Sequence, residues 1–158
     1  AALADGFCFG EGPRWFEGLL WFSDMLGEAI HTVSLNGSVT TVALPGHAPS
    51  GLGFRPDGSL LIVSTERRVV LRYDGETVST VVDLSDLVPA DLGDMVVDAR
   101  GRVAVPPGDS VALELDLSAL SARPGRRELQ VYVAEGPAWG PISRPVEIVE
   151  EAPSTSPP

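Results

Sequence analysis

FGEGPRWFEGLLWFSD, running from Phe9 to Asp24, is the stretch from which the rest of the chain is read. It opens with an acid between two glycines, Gly10-Glu11-Gly12, followed by Pro13. A short strand ending at Trp15, a turn at Glu17-Gly18 and an apolar strand from Leu19 to Phe22 come next. Proline fixes one backbone torsion and donates no hydrogen bond, while glycine reaches torsions closed to other residues. A carboxylate on that frame either points at a ligand or is a solvated acid in a turn. Taken alone the stretch favours the solvated acid; its recurrence downstream shifts the balance.

Residues 13–44 read as four short strands: Arg14-Trp15, Leu19 to Asp24, Ala29 to Leu35 and Ser38 to Ala43. The last two flank Asn36-Gly37, a strong hairpin signal. A Pro/Gly loop over 44–49 follows, and the pattern restarts. Ser50 to Phe54 is a strand, Arg55-Pro56-Asp57-Gly58 a turn, and Ser59 to Ser64 a strand. Val69 to Tyr73 and Thr77 to Leu84, joined at Asp74-Gly75, complete a second set of four. A third start is Asp94 to Val97, a turn over 98–101, and Arg102 to Val105. Gly18 and Gly58 lie 40 residues apart, and Gly58 and Gly101 lie 43 apart. Four short strands per unit at this period are the signature of β-propeller blades. The alignment predicts Trp15, Leu20, Phe22, Phe54, Leu60, Ile62, Val97 and Val103 buried between adjacent sheets.

The character changes at Pro106 to Ser110. Val111 to Leu117 alternates apolar and polar residues, as a half-buried strand does. Glu128 to Ala134 alternates in the same way, and Val146 to Val149 is a further strand candidate. The expected organisation is a propeller-like unit over 1–105, a β-strand segment over 106–150 that is sandwich-like or blade-completing, and a disordered Pro/Ser/Thr tail over 151–158. The fold class is therefore all-β: a partial β-propeller of two four-stranded blades and part of a third, followed by two or three added antiparallel strands.

A net charge of -11 carried on a chain with 11 arginines and no lysine argues against nucleic acid and against anionic membranes as partners. No apolar run approaches membrane-spanning length, no basic region followed by an apolar run opens the sequence, and a cytoplasmic protein is the expectation. Cys8 is the sole cysteine, which excludes an intrachain disulfide and a cysteine zinc site; it is expected as a small buried apolar residue. His31 and His47 have no obvious partner and are expected in polar surface roles. Asp57, Asp74 and Asp98 occupy turn positions where a structural role suffices. No serine lies in a motif such as G-x-S-x-G.

GEGPRW at 10–15, PSGLGFRPDGSLLIVS at 49–64 and LGDMVVDARGR at 92–102 together resemble the gluconolactonase, regucalcin and lactone-responsive (senescence-marker-like) family over about residues 5–105. The resemblance implies a six-bladed propeller that hydrolyses sugar-acid lactones with a divalent cation in its central channel. It places Glu11 at a metal-ligand position, where oxygen ligands suit calcium, magnesium or manganese. Such a cation would polarise the lactone carbonyl and lower the pKa of bound water. Two departures stand out. Gly93-Asp94 replaces the family's Asn-Asp pair, leaving Asp94 as the candidate substrate-binding residue or, equally, as a turn cap bonded to nearby backbone. The family's other ligands, an asparagine and an aspartate, come from later blades that this sequence does not contain. The expectation is thus a truncated lactonase, inactive as a monomer and active only if subunits of a homo-oligomer complete the channel. A non-catalytic β-rich binding or assembly module, or a gene fragment or chimera, is the alternative. PGDSVALELDLSAL and PGRRELQVYVA have a fainter resemblance to the fibronectin-III-like domain of family-three β-glucosidases.

Overall fold

In the computed structural model, residues 2–99, 101–105, 111–116, 127–135 and 144–148 are described, with side chains over 2–99 and 101–104. Among them every regular element is a strand. Strands β1 (Gly10–Phe16), β2 (Leu19–Asp24), β3 (Ala29–Ser34) and β4 (Val39–Ala43) form one antiparallel sheet in sequence order. Strands β5 (Pro49–Phe54), β6 (Leu60–Ser64), β7 (Val69–Tyr73) and β8 (Val78–Asp83) form a second. The third comprises β9 (Val96–Val97), β10 (Arg102–Val105), β11 (Val111–Asp116), β12 (Arg127–Glu135) and β13 (Arg144–Ile148), again ordered as in the chain. β10 pairs with β11 from Arg102↔Asp116 to Val105↔Leu113, so strands that precede and follow residues 106–110 in the chain share one sheet. Three strands are thereby added to the partial third blade. The expected tail over 151–158 lies outside the described residues.

The internal period shows in the backbone as well as in the letters. Arg55 N–H donates to Ser59 O and Gly58 N–H to Arg55 O, both at 2.9 Å. Asp98, Gly101 and Arg102 repeat the two bonds at the same lengths. Gly58 and Gly101 take φ of 83° and 78°, which only glycine adopts without strain. Glu28 and Arg68, 40 residues apart, both take left-handed backbone before the third strand of their sheet.

The second sheet is buried on both faces, and the run Leu60-Leu61-Ile62-Val63 in β6 is continuously apolar for that reason. Leu60 and Ile62 join Ile30, Leu44, Leu52, Val69 and Leu71 in the core against the first sheet. Leu61 and Val63 join Val70, Val82, Met95 and Val103 in the core against the third. Fully burying each of these side chains contributes about 2 kcal/mol.

Of the predicted core, Phe22, Leu60, Ile62 and Val103 are buried, and Leu20, Phe54 and Val97 are half-buried. Trp15 departs outright, with 58% of its surface exposed. A register shift in β1 between Glu11 and Arg14 sets Trp15 opposite Leu20, on the face turned away from the second sheet. Phe22 shares that face and is buried under Phe7, whose ring meets it edge-on at 4.8 Å. The aromatic joint between the first two sheets is instead Phe16 stacked on Phe54 at 3.8 Å, with Trp21 edge-on to Phe54 at 5.3 Å.

Candidate functional site

The first strands of the three sheets converge with almost no side chain between them. A Cβ placed on Gly12 would lie 2.7 Å from Ser50 O, and one on Gly51 would lie 2.7 Å from Asp94 C. Neither clash could be relieved by a rotamer change, because backbone atoms stand on the other side. The glycines of GEGP and PSGLG thus let β1, β5 and the segment entering β9 approach backbone to backbone.

Glu11 is held at this convergence. Ser50, itself buried, donates its hydroxyl to Glu11 Oε2 at 2.7 Å. Ser50 O in turn accepts from buried Ser23 Oγ at 2.6 Å, so the serine that grips Glu11 is itself gripped. No hydrogen bond reaches Glu11 Oε1 among the described residues. Nearby, Arg14 Nη2 donates to Asp94 Oδ1 at 2.9 Å and to Met95 O at 2.8 Å, tying the first sheet to the third across 80 residues of sequence. Asp94, the candidate substrate-binding residue, is therefore an exposed ion-pair partner of Arg14. Ser23, Ser50 and Arg14 carry no signal by themselves; only the recurrence of glycines near Glu11 hints at the close approach that brings them together.

The remaining singled-out residues are placed elsewhere. His31 and His47 are half-buried and partnered, not in the polar surface positions expected. His31 packs against the rings of Phe7 and Phe22, with Nδ1 3.0 Å from Thr41 Oγ1 and Nε2 3.7 Å from Asp24 Oδ2. His47 Nδ1 lies 2.9 Å from Ser64 Oγ. Burial and the Arg67 guanidinium hold the His47 imidazole below its ordinary pKa. Ser64 is fully buried, so this serine–histidine pair fastens the loop between the first two sheets and presents no nucleophile. Cys8, expected inside, is exposed because the backbone N–H groups on either side of its side chain are turned inward to Asp24. Asp57, Asp74 and Asp98 each accept from backbone N–H groups of their own turns.

Among the described residues no three His, Cys, Asp or Glu side chains gather as a cation would require. Glu11 is one oxygen ligand, and a hard divalent ion takes six or more oxygens. The donor set in the described residues therefore does not fit a complete metal site. No helix among them is long and apolar enough to cross a membrane.

Residues 9–110 match the model of the SMP-30/gluconolactonase/LRE-like region. No curated protein matches the sequence. Among solved structures, virginiamycin B lyase from Staphylococcus aureus is similar at 13% identity and a TM-score of 0.63, over 82% of this chain and 42% of that one. A gluconolactonase from Xanthomonas campestris, XC5397, is similar at 17% identity and a TM-score of 0.58, over 91% and 49%. A putative gluconolactonase is similar at 16% identity and a TM-score of 0.54, over 90% and 51%. The chain thus spans about half the length of these structures or less, with their β-propeller fold. Since the matched residues make up more than half of the sequence and include the Glu11 frame, the chain belongs to the SMP-30/gluconolactonase/LRE-like family.

Proposed function

We propose that the chain serves a gluconolactonase-type hydrolase and binds a sugar-acid lactone at the convergence of its first strands. The observation that carries this is the fixing of Glu11 by Ser50 at the meeting of the sheets, within the residues that match the family. Glu11 keeps one carboxylate oxygen without a hydrogen bond among the described residues, and exposed Asp94 serves as a substrate-binding residue. A calcium, magnesium or manganese ion, when bound with Glu11 as one ligand, would supply Lewis acidity to a lactone carbonyl. Its other oxygens would come from outside the described residues, supplied by an associated subunit, so the isolated monomer is inactive. The proposed setting is the cytoplasm, with neither nucleic acid nor membrane as partner.

Gly93 favours the second reading, a non-catalytic binding or assembly module, because it offers no side chain where a polar one would meet substrate. The test joins oligomeric state in solution to a divalent-metal titration and a glucono-lactone hydrolysis assay. Monomer is expected to show negligible metal-dependent hydrolysis, and Glu11→Gln to change folding stability by no more than about 1 kcal/mol. Rapid turnover by monomer, abolished by Glu11→Gln and by chelator, would overturn monomer inactivity. A lactone bound but never hydrolysed in any oligomeric state would establish the non-catalytic module instead.

A further inference from the structure

The irregularity in β1 decides which side chains share a face with Glu11. In an uninterrupted strand, residues three apart point to opposite faces. Here Glu11 stands opposite Ser23 and Arg14 opposite Trp21. Ser23 and Trp21 are two apart on β2 and share a face, so Glu11 and Arg14 do as well. Gly12, at φ 54°, and Pro13, which has no N–H to pair, supply the break.

Arg14 is fixed on that face yet reachable. Nη2 makes the two bonds to Asp94 and Met95, and Nη1 donates to Pro13 O at 2.9 Å. Three of the five guanidinium N–H donors are thereby committed, two are left, and the side chain remains 29% exposed. Asp94 Oδ1 is occupied twice, by Arg14 and by Met95 N–H at 2.7 Å. Asp94 Oδ2 and Glu11 Oε1 accept nothing among the described residues. The convergence therefore offers an oriented planar cation together with two carboxylate oxygens able to accept. That combination matches a small molecule bearing both a carboxylate and hydroxyl groups.

We propose that Arg14 is a ligand-binding residue that takes the carboxylate of a sugar acid, while Asp94, and Glu11 when it holds no cation, accept hydrogen bonds from its hydroxyls. The choice of ligand rests on the lactonase reading above; the role of Arg14 rests on the strand register. A guanidinium suits the task better than an ammonium, because its fork is rigid and its orientation is already set by Asp94 and Met95. A chain of net charge -11 repels free anions, so selectivity for an acid must come from this local cation.

The experiment is calorimetric titration of the full chain with gluconate and with sorbitol, a comparable polyol without the carboxylate, alongside a glucono-lactone hydrolysis assay. Gluconate is expected to bind at least 10-fold more tightly than sorbitol at low salt. The preference should vanish in Arg14→Gln and fall in Arg14→Lys, with folding of each variant checked by near-ultraviolet circular dichroism. Should Arg14→Gln fail to fold, the wild-type comparison and Arg14→Lys decide. A wild type without gluconate preference, or a folded Arg14→Gln that keeps it, overturns the proposal. If the preference follows Arg14 while lactone is not hydrolysed, Arg14 keeps its role and the hydrolase reading falls. Hydrolysis with a preference indifferent to Arg14 has the opposite meaning.

Discussion

At Asp24 two physical effects oppose each other. Burial of the carboxyl raises its pKa, yet N–H groups of Cys8, Phe9 and Gly27, with His31 nearby, more than offset this and leave it below the ordinary value of 3.8. A carboxylate whose folded pKa is depressed contributes stability that is fully present above the unfolded value. That contribution disappears as pH falls through the folded value. Urea unfolding should therefore show stability from Asp24 undiminished at pH of about 5 and above, falling only in the window below about 4. Asp24→Ala should cost about 2 kcal/mol at neutral pH, because three backbone donors lose their acceptor, and should flatten the acid limb. An unchanged limb in the variant would show that other carboxylates carry it. The N-terminal clasp was not legible in sequence: Asp24 reads as a strand end, and its donors lie 15 and 16 residues upstream.

Among elements, β1 shows how one irregularity redirects a strand. The repeat alignment predicts an inward Trp15, but Trp15 pairs with Leu20 on the face turned from the second sheet, and Phe16, paired with Leu19 on the other face, stacks on Phe54 of β5. Phe54→Ala removes the partner of both Phe16 and Trp21 and should cost about 3 kcal/mol in denaturant unfolding. Trp15→Ala, on the exposed face, should cost less than about 1 kcal/mol. Equal costs for the two would mean that the joint between the sheets lies elsewhere. Strand positions were legible here because they follow from local alternation and from turn residues; Asn36-Gly37 and Asp74-Gly75 both separate paired strands. The phase of β1 was not, since Gly12-Pro13 announces a break without saying which way the next side chain points.

For the molecule as a whole, the convergence of sheets depends on positions where a side chain would collide with backbone. Gly51→Ala would drive a Cβ to 2.7 Å from Asp94 C, and relief requires the second and third sheets to separate. A loss of about 2 to 3 kcal/mol is expected, together with weakening of the Arg14–Asp94 pair that spans the same approach. Gly58→Ala, at φ 83° with nothing within 4 Å, should cost only about 1 kcal/mol from backbone strain. Equilibrium unfolding of the two variants distinguishes them; equal losses would deny the close approach its role. The sequence by itself determined the all-β class, the 40-residue period and the family, because alternation, turn chemistry and the GEGP, PSGLGF and LGDM motifs are properties of neighbouring residues. Tertiary structure alone decided that Ser50 grips Glu11, that Arg14 pairs with Asp94, and that His47 finds Ser64. Those contacts join residues 17 to 80 positions apart, and they arise from strand register and sheet packing, which no local pattern encodes.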